Sequence, residues 1–215
     1  MNHVLMFECG PVATNCYILF HLEAGTATLI DAPHGCTPHV LQATEDAGLV
    51  LSDLVLTHTH WDHTADAAQI VRQTGARITA HRADEYRLTN PAEHSVWPLP
   101  FTLEPAAADV LLSGDGGELS LGGNQFEWIH TPGHTEGGIC IFHRESGTLF
   151  AGDTLFNGSV GRTDLPGGDM DVLVRSIRTR LFTLNANVVV LPGHGPSTTI
   201  GQECISNPFV GEHAG

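Results

Sequence analysis

A chain of 215 residues, 41% of them hydrophobic, is long enough for one domain with a sizeable core. Its formal charge is −15 and all nine basic residues are arginine, which argues against nucleic acid as a partner, since such a surface repels a phosphate backbone. No run reaches the roughly 18 apolar residues of a membrane span, and the opening stretch lacks the charged-then-apolar order of a signal peptide, so a single cytoplasmic domain over 1–215 with no membrane partner is expected.

In chain order, short apolar and β-branched runs predict strands at 4–7, 16–20, 27–30, 54–57, 77–79, 126–129, 139–142, 148–151 and 187–191. Helical spacing lies between them. Residues 38–48 begin with proline and end at glycine, 64–75 end at glycine again, and 171–183 set Val172, Ile177 and Leu181 among three arginines. Residues 90–105 hold four prolines and read as an irregular connection. Strands and helices interleaved in this way indicate a mixed α/β layered fold. The five cysteines, Cys9, Cys16, Cys36, Cys140 and Cys204, form no CxxC pair and are expected as free, mostly buried thiols.

The chemistry concentrates where strands end. The run LVLT closes at Thr57, and the next six residues contain His58, His60, Asp62 and His63. In extended backbone, residues two apart share a side, so His58 and His60 can face one ion, while Asp62 and His63 lie where the chain turns into a helix and can face another. Three later strands end likewise: TPGH presents His134, AGD presents Asp153 and LPGH presents His194, each straight after a glycine, Gly133, Gly152 or Gly193. Glycine suits a sharp turn that aims a side chain at an ion. Singly, each of these residues has an ordinary explanation. A histidine after a strand is commonly a solvated loop residue, and Asp62 would serve as a helix cap. Imidazoles and carboxylates arriving together in this order suit zinc, iron or manganese. His81, after the strand at 77–79, is a weaker candidate.

THTHWDH with PGH, AGD and PGH downstream resembles the metallo-β-lactamase superfamily over essentially the whole chain. The resemblance implies a four-layer αββα sandwich and two divalent metal ions, zinc foremost. By the same resemblance His58, His60 and His134 hold one ion, Asp62, His63 and His194 hold the other, and Asp153 bridges them. Such a pair supplies hydroxide near neutral pH, and Asp62 is the residue expected to orient it or take its proton.

LFNGSVGRTDLPGGD at 155–169 and PGHGPSTTIGQECISNPF at 192–209 resemble the short bacterial form of the glyoxalase II-like hydrolases. That likeness implies a small-molecule substrate, a thioester such as a hydroxyacyl-glutathione. Arg162 is the candidate contact for a substrate anion, with an ion pair to Asp164 as the competing explanation. The resemblance also leaves a mononuclear-iron persulfide dioxygenase, which shares the HxHxDH stretch and a GRTD segment, and a lactonase-type hydrolase as alternatives.

Overall fold

The first apolar runs pair as an antiparallel meander: β1 (His3–Cys9), β2 (Thr14–His21) and β3 (Thr26–Ile30). The chain then crosses over through α1 (Thr37–Ala47) and continues in parallel as β4 (Val50–Val55), β5 (Arg77–His81) and β6 (Val110–Leu112). The result is a six-stranded sheet in the order β1-β2-β3-β4-β5-β6. Between β4 and β5 lie α2 (Trp61–Thr64) and α3 (Ala67–Thr74), and after β5 a 3-10 turn leads into α4 (Glu85–Thr89) and α5 (Pro91–His94). The computed structural model describes residues 3–214, and these elements belong to the first of two units, Met1–Ser113 with Ser120–Asn124.

The second unit is Gly114–Leu119 with Gln125–Gly215. Its sheet contains β7 (Gly116–Leu121), β8 (Asn124–His130), β9 (Ile139–His143), β10 (Thr148–Gly152), β13 (Val189–Pro192) and β14 (Thr198–Thr199), in the order β14-β13-β10-β9-β8-β7. A small hairpin, β11 (Leu155–Phe156) and β12 (Ser159–Val160), follows β10. The helices are α6 (Met170–Ser176), extended by a π-helical turn over Ile177–Leu181, and α7 (Ile200–Ser206).

Each unit has its own core. In the first, Ile18, Leu29, Leu54 and Ile78 from the sheet pack with Val40 of α1 and Ile70 of α3. In the second, Phe142, Leu149 and Val190 pack with Leu173, Ile177 and Leu181. Strands covered in this way read as near-continuous apolar runs rather than alternating ones, which is why β3 and β9 are legible in the sequence.

The helix expected from Pro38, α1, ends as its composition predicts, with Gly48 in the left-handed conformation at φ 66°. Four expected elements differ in detail, the first being the irregular connection expected at 90–105, which opens with α5. The strand expected at 54–57 leaves the ladder after Val55, because the Thr57 amide donates to the Asp31 carboxylate rather than to a neighbouring strand. The helix expected at 64–75 begins earlier, at Trp61, and is interrupted at 65–66. There the Asp66 amide donates to Ala32 O while its carboxylate accepts from Thr37. The helix expected at 171–183 changes hydrogen-bond pitch in its second half, where Phe182 N reaches Ile177 O. No helix among the described residues is long and apolar enough to cross a membrane.

Candidate metal and active site

In the first unit the segment leaving β4 is held from two sides. Asp31, at the end of β3, is buried and accepts from Thr57 N, Thr57 Oγ1 and His63 Nδ1, each at 2.8 Å. Asp31 also sits at φ 60°, a left-handed conformation uncommon outside glycine. On the other side Asp84, fully buried, accepts from Thr59 N through its carboxylate and from Thr59 Oγ1 through its carbonyl, and its second carboxylate oxygen takes a bond from Arg87. The stretch carrying His58 and His60 is therefore clamped at both threonines of the THTH run.

These contacts also set the imidazoles. The Asp31 carboxylate accepts from His63 Nδ1–H, so in the neutral imidazole the other ring nitrogen, Nε2, carries the lone pair. It faces Asp62 Oδ2 at 3.6 Å. The Thr57 hydroxyl spends its proton on Asp31, so at 3.2 Å it accepts from His58 Nδ1–H, and the lone pair of His58 is again on Nε2. The His58 and His60 rings lie 5.0 Å apart, the His58 and His63 rings 4.1 Å apart. Thr14 Oγ1 donates to Asp62 Oδ2 at 3.3 Å.

The second unit repeats the device. His134 is buried, and its Nδ1 donates to the Arg162 carbonyl at 2.6 Å, so its lone pair too is on Nε2, which faces Asp153 Oδ2 at 3.5 Å. His194 Nε2 approaches the same oxygen from elsewhere, also at 3.5 Å, so Asp153 stands between two imidazoles. An imidazole lone pair and a carboxylate oxygen face to face repel each other, and a cation relieves that repulsion. Fixing Nδ1 with a carboxylate or carbonyl is also how ligating histidines are commonly oriented. With nitrogen and oxygen donors suited to borderline ions, the residues present fit a divalent metal.

Backbone packing explains the glycines. Gly133 has φ 130°, and a Cβ there would lie 2.3 Å from Leu173 N, so the PGH turn rests directly on α6. Gly193 does not share this behaviour. It is not among the positive-φ residues, and its amide donates to Gly152 O at 2.8 Å, while the left-handed residue of that turn is Gly195, at φ 72°.

Several residues were missed by the reading of motifs. Asp31 and Asp84 are the main ones, and an aspartate at the end of a buried apolar strand, as in LIDAP, is the signal that could have found the first. Gly161 is another. A Cβ there would fall 1.9 Å from Asp153 O and 3.1 Å from His134 Cγ, so only glycine lets this loop bring Arg162 O onto His134. Glu203, fully buried in α7, accepts from Gly158 N, Thr198 Oγ1 and Asn207 Nδ2 and ties the hairpin after Asp153 to the C-terminal segment.

Two candidates carry other contacts. His81 is buried and its Nδ1 accepts from Ala83 N, capping the 3-10 turn. The Arg162 guanidinium forms a bidentate pair with Asp164 at 2.7 and 2.8 Å. That partner holds the Asp164 carboxyl down to about 2.

A sequence model of the metallo-beta-lactamase superfamily matches residues 9–194. The chain belongs to that superfamily. Its metallo-β-lactamase fold is shared with BLEG-1, a B3 metallo-beta-lactamase of known structure, at a TM-score of 0.88 and 33% identity over 97% of this chain and 99% of the other. It is also similar to TTHA1623, solved in a di-iron-bound form, at a TM-score of 0.82 and 32% identity over 95% and 99% of the two chains. Among curated proteins, hydroxyacylglutathione hydrolase GloC of Haemophilus influenzae is 38% identical over 198 residues, covering 91% of this chain and 92% of that protein. Members of the superfamily bind divalent metals, and this chain is a metallo-hydrolase by family.

Proposed function

We propose that the chain is a thioester hydrolase of the glyoxalase II type, acting on a hydroxyacyl-glutathione or a similar thioester. The observation that carries this reading is the pinned Nδ1 of His58, His63 and His134, which leaves Nε2 of all three, from two separate sequence motifs, as the nitrogen a cation can take. The likeness to GloC supports the substrate class. The two units work as one domain over 1–215. His58, His60 and His134 would hold one ion and Asp62, His63 and His194 the other, with Asp153 as the carboxylate the two would share. Zinc is the proposed metal, with iron as the alternative that the di-iron relative favours.

When bound, the metal pair would activate water near neutral pH and stabilise negative charge on a carbonyl oxygen. The chain's own residues do the rest. Asp62, steadied by Thr14 Oγ1, orients the attacking water and accepts its proton. Asp31 and the Arg162 carbonyl keep His63 and His134 in the tautomer that a cation needs. A thiolate leaving group, with a thiol pKa of about 8.5, departs without a dedicated acid. Arg162 is the proposed contact for a substrate carboxylate, shared with Asp164. Free thiols at all five cysteines fit work in the reducing cytoplasm.

The test pairs metal analysis with assays on the purified chain. Two metals per chain and hydrolysis of S-lactoylglutathione support the reading. One iron per chain with oxygen uptake on glutathione persulfide would replace it with a dioxygenase.

A further inference from the structure

Beside the HxHxDH stretch, the first unit carries an open groove that the proposed chemistry does not use. It has a volume of about 210 Å³ and is lined by Trp97, Leu99, Phe101 and Leu103, with Ser95 and Thr102 among the polar residues. Phe101 joins it to the motif. Its ring stacks on His34, 3.7 Å between centroids and nearly parallel, and lies 6.0 Å from the ring of Trp61, the residue between His60 and Asp62. Trp97 is 44% exposed and its neighbour Val96 51%, so large apolar surface is left facing water.

No charged side chain is among the residues that line the groove. A charged group would lose its water there with no ion partner in the lining, whereas an apolar group meets the side chains of Ala92, Trp97, Leu99, Phe101 and Leu103. Size narrows the choice further. A cavity of roughly 150 Å³ lined by aliphatic and aromatic side chains takes benzene, so this groove suits a short aliphatic chain or a phenyl ring.

We infer that the groove formed by Trp97, Leu99 and Phe101 binds the acyl end of the substrate, and that among the thioesters hydrolysed at this site turnover rises with an apolar acyl chain up to about four to eight carbons. This rests on the thioester reading of the adjacent site. Phe101 forms the wall shared by groove and motif, and Leu99 lines the groove without the Trp61 contact.

The experiment uses the metal-loaded full chain and neutral N-acetylcysteamine thioesters with acetyl, butanoyl, hexanoyl and phenylacetyl groups. Calorimetry with the matching non-hydrolysable S-methyl to S-hexyl thioethers runs alongside it. Each added methylene is expected to raise both kcat/KM and affinity about two- to four-fold. Leu99→Asn and Phe101→Ala should flatten that gain, read as the hexanoyl-to-acetyl ratio. A flat chain-length series in the unmodified protein, or an equal slope in both variants, overturns the inference. If no thioester is turned over but the thioethers still bind with rising affinity and the variants flatten it, the thioester reading fails while the groove's apolar preference stands.

Discussion

Asp31 and His63, thirty-two residues apart, meet at 2.8 Å through Oδ2 and Nδ1 while both side chains are almost completely buried. A buried carboxylate with three donors, held at a left-handed backbone angle, is a costly arrangement, and it orients a histidine of the HxHxDH motif. Asp31→Asn tolerates the same backbone angle but weakens the carboxylate's hold on His63 and Thr57. The expected outcome is a 10- to 100-fold loss of metal affinity in a chelator competition, with the fold intact by circular dichroism. Unchanged affinity would show that Asp31 acts on the backbone alone.

Gly161 tests the second unit in the same way. A methyl group at this position collides with the Asp153 carbonyl, so Gly161→Ala must move the loop that carries Arg162 O away from His134. Hydrolytic activity should fall at least ten-fold and the melting temperature should drop. A variant with wild-type activity and stability would mean that the loop shifts without cost.

Asp153→Ala removes the carboxylate that stands 3.5 Å from both His134 and His194. If it bridges two ions, metal content measured by elemental analysis should fall from two per chain to at most one, held weakly. Retention of two ions would refute the bridge.

The Arg162–Asp164 pair makes a prediction in pH. The guanidinium holds the Asp164 carboxyl at about 2, below its ordinary 3.8. A depressed folded value means that the pair's contribution is present above the ordinary carboxylate range and is lost as pH falls through about 2. Arg162→Ala should return Asp164 toward 3.8 in a carboxyl-carbon NMR titration. Because both groups are exposed, global stability at neutral pH should barely change.

Thiol accessibility provides a fifth measurement. Cys9, Cys16, Cys36 and Cys140 are buried, and burial pushes the Cys140 thiol up to about 11, so it stays protonated at the pH of ordinary labelling reactions. Cys204 is half-buried. An alkylating reagent at pH 8 should modify Cys204 first and the other four only on unfolding. Fast labelling of more than one cysteine would contradict this packing.

Most of the strands were legible because residues such as Leu29, Ile141 and Val190 are buried in continuous apolar runs, and the glycine stops at Gly48 and Gly75 mark helix ends by backbone conformation. β6, β7, β11, β12 and β14 were not: β6, β11, β12 and β14 are only two or three residues long, and Gly116, Ser159 and Thr198 carry little apolar pattern. The α2–α3 break escaped for another reason. It is made by Asp66 binding Ala32 and Thr37, partners far away in sequence.

The sequence by itself determined where the candidate ligands stand, because HxHxDH, PGH, AGD and PGH each set their histidines or aspartate just past the end of a strand. Only the tertiary structure decided which nitrogen of His58, His63 and His134 is tied and which is left to a cation. That choice belongs to Asp31, Thr57 and the Arg162 carbonyl. Two of these three, Asp31 and Arg162, lie about thirty residues from the histidine they orient, and a hydrogen bond across that separation exists only once the cores have brought the strands together.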